Sequence, residues 1–159
     1  MAVKLDNYDR VLLDAIQQDA RITQSELGER ANLSTAAVNR RLRLLADAGV
    51  IERYAACIDP KAVGYGLTII VEAQLESERA DLLRQTQRSF RECPQVQQCY
   101  YVAGECDLVL ILLVHDMEQY VALTQRLFQF GNNIRAFKTL VVMDRVKAGM
   151  GVPVLDPGG

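Results

Sequence analysis

The sequence predicts an α+β fold in two parts, an all-helical N-terminal half and a C-terminal half with the element order β-α-β-β-α-β. Three observations predict it. Apolar residues recur with helical spacing up to about residue 48, β-branched and aliphatic runs of strand length begin near residue 66, and Gly, Asn and Pro separate the segments. Because the periodicity changes between the halves, we expect two small domains.

The N-terminal half begins with two predicted helices that carry start signals. An apolar stripe over residues 11–16 marks the first helix, with Asp6 or Asn7 as its N-cap. The second helix opens with Thr23-Gln24-Ser25-Glu26, the pattern of a capping box, and runs to about Ala31. These local signals predict where each helix starts.

A third predicted helix follows a short turn. Asn32 occupies the turn, since asparagine tolerates the left-handed backbone conformation. Ser34 is the predicted N-cap of a helix over residues 35–48, which Gly49 ends. Two helices joined by a three-residue turn form a helix-turn-helix.

The third helix has a predicted core face and a predicted DNA face. Val38, Leu42 and Leu45 have the i, i+4, i+7 spacing of a buried stripe. Arginine reads guanine and asparagine reads adenine in the major groove, while flanking arginines contact phosphate. A solvated amphipathic helix is the alternative interpretation. The residues predicted to meet DNA, with Arg41 directed at phosphate, are Ser34, Thr35, Ala36, Asn39, Arg40, Arg41 and Arg43.

The charge balance limits what one copy can do with DNA. The net charge is −2, and the first sixty residues hold at least as many acidic as basic side chains. Phosphate contact depends on a local basic cluster, which the arginines of the third helix supply. We therefore expect weak DNA binding by one copy and joint action of several copies.

The C-terminal half is divided by turn signals. Residues 50–57 fit a strand or a short wing, before a break at Asp59-Pro60. Predicted strands span residues 66–76, 96–103, 107–115 and 134–146, and predicted helices span 78–91 and 116 to about Phe130. This order is the ferredoxin-like arrangement, whose sheet carries helices on one face only. An apolar second face then needs a partner to cover it.

The predicted domain organisation has four parts. A helix-turn-helix domain spans residues 1–52, a linker strand or loop 53–65, a ferredoxin-like domain 66–149 and a C-terminal tail 150–159. No apolar run approaches the ~18 residues of a membrane span, and the N-terminus lacks the apolar core of a secretory signal. We therefore expect a cytoplasmic protein.

Catalytic and metal-binding signatures are missing from the sequence. The single histidine, His115, has no second ligand at a coordinating spacing, and the four cysteines show no C-x-x-C pair. The P-loop, G-x-S-x-G and G-x-G-x-x-G motifs are also absent. We expect neither an enzyme nor a metal or cofactor.

Several short motifs together identify a family. They are Leu5-Asp6, Asp9-Arg10, Asp19-Ala20-Arg21-Ile22-Thr23, Leu33-Ser34, Arg41-Leu42-Arg43-Leu44-Leu45, Gly49-Val50-Ile51, Gly104-Glu105-Cys106-Asp107-Leu108 and Val141-Val142-Met143. In this order and spacing they resemble the Lrp/AsnC (feast/famine) regulators over nearly the whole chain. The resemblance implies a winged helix-turn-helix, a linker strand and a ligand-responsive domain.

The resemblance also implies partners. Sheets of this family pair face to face into dimers, and dimers build tetramers or octamers that bring several DNA-binding heads together. Double-stranded DNA and a small effector, typically an amino acid, are the expected ligands. Family members typically repress their own gene and control genes of amino-acid metabolism, so the resemblance implies an expected location on the nucleoid.

In family members that bind amino acids, the effector site lies between dimers at the β-hairpin turn. Gly104 lets backbone amides approach an α-carboxylate, and Glu105 and Asp107 suit an α-ammonium group. Thr139 and Val141 of the last strand are expected to line the side-chain pocket. A plain hairpin turn with solvated acids is the alternative.

Other hypotheses stay open at this point. Cys106 stands where the family often has a bulky residue, which leaves the effector undefined and suggests a thiol that responds to oxidants or sulfur compounds. A high oligomer also fits an architectural protein that packs DNA with little sequence preference. Sirohaem decarboxylases resemble the same two-part fold, but the intact arginine face of the third helix favours DNA over that enzyme.

Overall fold

The structure of the protein is a computed structural model that describes residues 4–129 and 132–155. The chain forms two compact units. The first comprises described residues 4–57 and 147–155, and the second comprises 58–129 and 132–146. The chain therefore starts in the first unit, passes through the second and returns to the first.

Three helices build the first unit: α1 (Asn7–Gln18), α2 (Gln24–Ala31) and α3 (Thr35–Asp47). The predicted N-caps are confirmed, because Asp6, Thr23 and Ser34 each accept a hydrogen bond from the backbone N–H three residues later. The caps of α1 and α2 are complete capping boxes. The helices enclose a small apolar core of Leu12, Ala15, Leu27, Ala31 and Val38.

The strand predicted as one alternative for residues 50–57 is not formed. Gly49 ends α3 with φ 73°, and the Val50 and Ile51 amides donate to the Leu45 oxygen. A strand needs a neighbouring strand for its hydrogen bonds, and the described part of the first unit contains none. The segment is therefore a loop, followed by a 3-10 turn at Lys61–Val63.

The second unit has the predicted β-α-β-β-α-β order. Its elements are β1 (Leu67–Leu75), α4 (Ala80–Arg91), β2 (Val96–Tyr101), β3 (Leu108–Val114), α5 (Met117–Thr124) and β4 (Ile134–Val141). The strands form one antiparallel sheet in the order β2-β3-β1-β4. The ferredoxin-like arrangement is thereby confirmed.

Two element ends differ markedly from the prediction, whereas the others shift only slightly. α5 continues as a π-helical turn at Gln125–Gln129, and the predicted helix end at Phe130 lies outside the described residues. β4 ends at Val141 rather than near residue 146. The Val142 N–H still donates to the Thr68 oxygen, but β1 begins only one residue before Thr68, at Leu67, so its ladder cannot extend to residue 146. Strand length thus depends on the partner strand as well as on the strand's own sequence.

The sheet has one buried face and one open face. Alternate residues of β1 and β3 are fully buried against α4 and α5, for example Val71 and Leu110. The residues between them lie on the open face, where Ile70 pairs with both Ile111 and Leu140 in one row across three strands. These aliphatic side chains are only half-buried or are exposed, so the open face carries an apolar row that a partner could cover.

Candidate nucleic-acid interface and effector site

The turn between α2 and α3 is tight. Asn32 adopts the predicted left-handed conformation (φ 51°, ψ 48°), and the Leu33 N–H donates to the Gly28 oxygen over 2.8 Å. A Cβ at Gly28 would lie 2.6 Å from the Leu33 oxygen, closer than real Cβ contacts. Glycine at this position therefore lets the chain fold directly back from α2 into α3.

The core face of α3 agrees with the prediction. Val38 and Leu45 are buried, and Leu42 packs half-buried against the three-helix core. Six of the seven residues predicted to contact DNA are exposed at the start of α3 or along its outer side, which we call the α3 outer face: Ser34, Thr35, Ala36, Asn39, Arg40 and Arg43.

The two arginines of the α3 outer face extend into solvent. Arg43 is 86% exposed, and its Nε lies 3.9 Å from the Asp47 carboxylate, which is itself 70% exposed. A surface ion pair at this distance contributes little, so the guanidinium can exchange it for a phosphate or a base edge. Ala36 and Arg40 are exposed on the same side of the helix. Because the Ala36 side chain is short, the helix can approach a DNA groove closely and bring Arg40 and Arg43 to it.

Asn39 has a partner that the sequence analysis missed. Its Nδ2 donates to the Oε1 of Gln24, the first residue of α2. The pair orients the Asn39 amide at the surface. The sequence placed Gln24 at the start of the preceding helix, but that position does not predict its contact with Asn39, 15 residues later.

Arg41 has partners within the first unit, and the phosphate contact predicted for it stays a prediction. The Arg41 guanidinium donates to the Asp6 and Asp9 carboxylates at 2.8 Å each and lies 5.3 Å from the centre of the Tyr8 ring. The hydrogen bonds that Arg41 donates to Asp9 and Asp6 raise the pKa of Arg41, and the hydrogen bond that Asp6 accepts from the Asp9 backbone N–H lowers the pKa of Asp6. Arg41 joins α3 to the capping box of α1 and has a structural role.

The hairpin turn between β2 and β3 is anchored to β1. The Asp107 N–H donates to the Ala73 oxygen, and the Asp107 Oδ2 accepts the Leu75 N–H over 2.7 Å. The Glu105 oxygen accepts a hydrogen bond from the Gln74 side chain. Asp107 therefore holds the turn in place. The Glu105 side chain and Gly104 are exposed, and a Cβ at Gly104 would meet nothing within 4 Å.

Within one chain, Thr139 and Val141 do not lie beside this turn. The turn meets β1 at Ala73, whereas Val141 pairs with Ile69, four residues further along β1. At ~3.3 Å per residue this separation is about 13 Å along the strand. The Thr139 hydroxyl, two residues nearer, is hydrogen-bonded to the Tyr120 hydroxyl. The structure thus brings Gly104, Glu105 and Asp107 together and leaves the β4 residues apart from them.

The single histidine has a structural environment. The His115 Nδ1 lies 2.7 Å from the Gly64 oxygen, and its ring stacks on Tyr65 at 4.2 Å between centroids. In the part of the chain that the structure describes, no group of His, Cys, Asp or Glu could hold a metal ion. The described helices also include none long and apolar enough to cross a membrane.

Comparison with known families matches both units. The model of winged helix-turn-helix DNA-binding domains matches residues 5–52, and the model of the Lrp/AsnC ligand binding domain matches residues 68–152. The chain belongs to the Lrp/AsnC family. As an Lrp/AsnC protein it is a transcriptional regulator with a helix-turn-helix for DNA and a separate ligand-binding domain.

Individual relatives of this Lrp/AsnC regulator agree. An HTH-type transcriptional regulator of Sinorhizobium fredii is 44% identical over 153 residues, which is 96% of this chain and 90% of the relative. The leucine-responsive regulatory protein of Escherichia coli K12 is 32% identical over 143 residues, covering 90% and 87%. A Neisseria meningitidis transcriptional regulator solved in complex with L-methionine superposes with a TM-score of 0.89 at 28% identity, covering 95% and 97%.

Proposed function

We propose that this Lrp/AsnC regulator binds specific duplex DNA through the α3 outer face. The observation that carries the proposal is the pair of solvent-directed arginines, Arg40 and Arg43, beside the short Ala36 on a helix whose other side is packed in the core. Arg40, Arg43 and Asn39 contact base edges, because guanidinium and amide groups match guanine and adenine. Ser34 and Thr35, at the helix start, contact phosphate through side chains and backbone amides.

The DNA experiment compares two affinities at one salt concentration. The protein is titrated onto the DNA upstream of its own gene and onto random DNA of equal length. A specific regulator prefers its own site by roughly 10³ or more. A ratio near one contradicts specific regulation and supports DNA packing instead.

We propose further that copies assemble through the open face of the sheet. A net charge of −2 on the whole chain makes one copy a weak DNA ligand, so paired copies are needed for strong binding. The row formed by Ile111, Ile70 and Leu140 is an apolar surface that a second sheet can cover. Dimers formed in this way would bind two half-sites, and tetramers or octamers would multiply the heads.

Light scattering tests the assembly. Ile111→Asp is expected to convert the oligomer to smaller species, because a carboxylate on the open face cannot be buried unpaired. Arg84→Asp, a charge change on the exposed side of α4, is the matched control and leaves the mass unchanged. Equal masses for both variants would remove the open face from the interface.

The effector proposed for the ligand-binding domain is an amino acid. Its support is the anchored turn with Gly104 and Glu105 exposed, together with the L-methionine bound to the Neisseria relative. Backbone amides at Gly104 receive the α-carboxylate, and Glu105 receives the α-ammonium group. Thr139 and Val141 stay predicted pocket residues, contributed where copies meet. We also propose that this regulator has no catalytic function and acts on nucleoid DNA in the cytoplasm, and the support is that its relatives are named transcriptional regulators.

A thermal-shift scan against the twenty amino acids tests the effector. A ligand at a hundred times its dissociation constant adds about 2.7 kcal/mol of stability per site. Gly104→Val is expected to fold, since space is open there, and to lose the response. Gly149→Val, at another glycine with open space, is the control and keeps the response. A normal response in Gly104→Val would place the pocket elsewhere.

A further inference from the structure

A cleft in the second unit lies between α4 and the edge strand β2. We call it the α4–β2 cleft, and its lining includes Gln87 and Arg91 of α4, Val96 and Cys99 of β2, and Leu108 of β3. The sheet order leaves β2 with a neighbouring strand on one side only, and its register against β3 shifts after Val96, as at a β-bulge. The volume of the cleft is about 390 Å³, which suits a small ligand.

The cleft is on the helix-covered face of the sheet. Cys99 pairs with Leu110, and directly opposed residues of antiparallel strands point to the same face. Leu110 is fully buried against the helices, so Cys99 is directed to the same side. The cleft therefore lies opposite the open face, and its lining includes none of the turn residues 104–107.

Arg91 gives the cleft a positive charge that nothing in the described part of the chain neutralises. Arg91 is exposed and makes no hydrogen bond or ion pair with another described residue, whereas Arg88, three residues earlier, is paired with Glu92 at 2.7 Å. The carbonyl end of a helix carries about half a negative charge, so the full charge of Arg91 prevails there. An anion is therefore the ligand that the cleft attracts.

Cys99 adds no negative charge of its own. Its surroundings desolvate the thiol and raise its pKa, while the positive charge of Arg91 acts in the opposite direction. Arg91 is therefore within electrostatic range of the Cys99 sulfur. The described residues that line the cleft include no Asp or Glu, so an ammonium group finds no charged partner in it.

Gln87 supplies a second hydrogen-bond donor. It precedes Arg91 by four residues, so the two side chains are neighbours on one face of α4. Gln87 is half-buried, and its amide makes no hydrogen bond with another described residue. Val96 and Leu108 add apolar surface to the lining. The matching ligand has a carboxylate, an adjacent hydrogen-bond acceptor and a short apolar chain.

We propose that the α4–β2 cleft binds a 2-oxo acid with a short aliphatic side chain. The Arg91 guanidinium donates two hydrogen bonds to the carboxylate, and the Gln87 amide donates to the 2-oxo oxygen. The aliphatic side chain contacts Val96 and Leu108. The corresponding amino acid is rejected, because its α-ammonium group would lose water without gaining a charged partner. This ligand differs in chemistry from the amino acid proposed for the turn, and its site does not depend on that proposal.

Isothermal titration calorimetry of the full-length protein tests the proposal with 4-methyl-2-oxopentanoate as the probe. Saturable binding is expected in the wild type, and the same affinity is expected in Gly104→Val, which blocks only the site proposed at the turn. L-leucine has the same side chain and is the matched ligand. In Gly104→Val it should bind about tenfold more weakly than the oxo acid or worse, because its ammonium group stays unpaired.

Two variants and one thiol locate the binding. Arg91→Gln is expected to weaken binding of the oxo acid roughly tenfold or more, because hydrogen bonds to a charged group are lost. Arg84→Gln removes the same charge from an exposed position of α4 outside the cleft and is the matched control, with unchanged affinity. Bound oxo acid should also slow the alkylation of Cys99 by iodoacetamide, whereas Cys57, an exposed thiol outside the cleft, should react at an unchanged rate.

Four results would overturn the proposal. One is the absence of saturable binding by the wild type, and another is an alkylation rate of Cys99 that the oxo acid does not change. Loss of binding in Gly104→Val would assign the oxo acid to the turn. Equal affinities in either matched pair, Arg91→Gln with Arg84→Gln or oxo acid with L-leucine, would remove the recognition chemistry. The thermal-shift scan that tests the turn does not enter these comparisons, so either proposal can fail while the other stands.

Discussion

Replacing Arg41 by alanine decides between a structural and a phosphate-binding arginine. The guanidinium holds two carboxylates at 2.8 Å and lies over the Tyr8 ring, and the Arg41 side chain is 23% exposed. Arg40, the preceding residue on the same helix, is exposed and provides a matched control. We expect Arg41→Ala to destabilise the three-helix unit and Arg40→Ala to leave its stability nearly unchanged.

The size of the effect follows from the exposure of each partner. The Asp6 side chain is 48% exposed, so its pair with Arg41 contributes about 0.2–1 kcal/mol. The Asp9 side chain is only 14% exposed, and its pair belongs at the upper end of that range, about 1 kcal/mol. The Tyr8 ring adds about 0.5 kcal/mol. Because one guanidinium makes all three contacts, the terms are not additive, and about 1–2 kcal/mol is expected in total.

Hydrogen exchange of the α1 and α3 amides measures the stability of the three-helix unit separately from that of the second unit. A loss of about 1–2 kcal/mol accelerates exchange of the most protected amides roughly 5- to 30-fold. Arg40→Ala is expected to stay within about 0.5 kcal/mol of the wild type. The salt dependence of DNA binding supplies the second readout. A lost phosphate contact reduces the slope of log K against log salt by about 0.9, whereas a structural arginine leaves the slope unchanged. Unchanged exchange together with a reduced slope in Arg41→Ala would refute the structural assignment.

Three further predictions follow from single contacts. Gly28→Ala is expected to lower the free energy of unfolding by about 1–2 kcal/mol in urea, because overpacking costs up to about 3 kcal/mol and the better helix propensity of alanine returns about 1 kcal/mol. Gly104→Ala is the control and should leave the stability unchanged, since a Cβ there meets open space. Equal urea midpoints for the two variants would contradict the clash between a Cβ at position 28 and the Leu33 oxygen. Arg43→Ala should weaken binding to the specific site by about 1–3 kcal/mol in titrations; an equal loss on random DNA would assign it to phosphate. The pKa of Asp6 is lowered, first by the hydrogen bond from the Asp9 backbone N–H and then by Arg41. The ionised Asp6 carboxylate therefore stabilises the fold at a pH above its ordinary pKa of 3.8, and this stabilisation is lost as the pH falls below that pKa. Asp6→Asn should therefore flatten the acid side of the stability profile, and an unchanged profile would exclude Asp6 as its source.

The sequence was sufficient wherever a structure depends on residues a few positions apart. Asp6, Thr23 and Ser34 cap their helices through bonds that span three residues, and Asn32 takes the left-handed conformation predicted for the turn. Hydrophobic periodicity likewise predicted the order of elements and the buried side of α3, since both depend on spacing along the chain. The short motifs of the Lrp/AsnC resemblance agree with the matched family models.

Contacts between distant residues were decided only by the tertiary structure. The sequence predicted a phosphate contact for Arg41, and the fold adds Asp6 and Asp9, more than 30 residues earlier, as its partners. The sequence predicted an ammonium ligand in Asp107, and the fold adds the Leu75 amide as a partner of its carboxylate.

By itself, the sequence determined the helices and their caps, the β-α-β-β-α-β order, the outer side of α3 and the family. The tertiary structure decided the strand order β2-β3-β1-β4, the loop at residues 50–57, the partners of Arg41 and the return of residues 147–155 to the first unit. The physical reason is that a charged or amide side chain bonds whichever group the fold brings within about 3 Å, and spacing along the chain does not encode that neighbour.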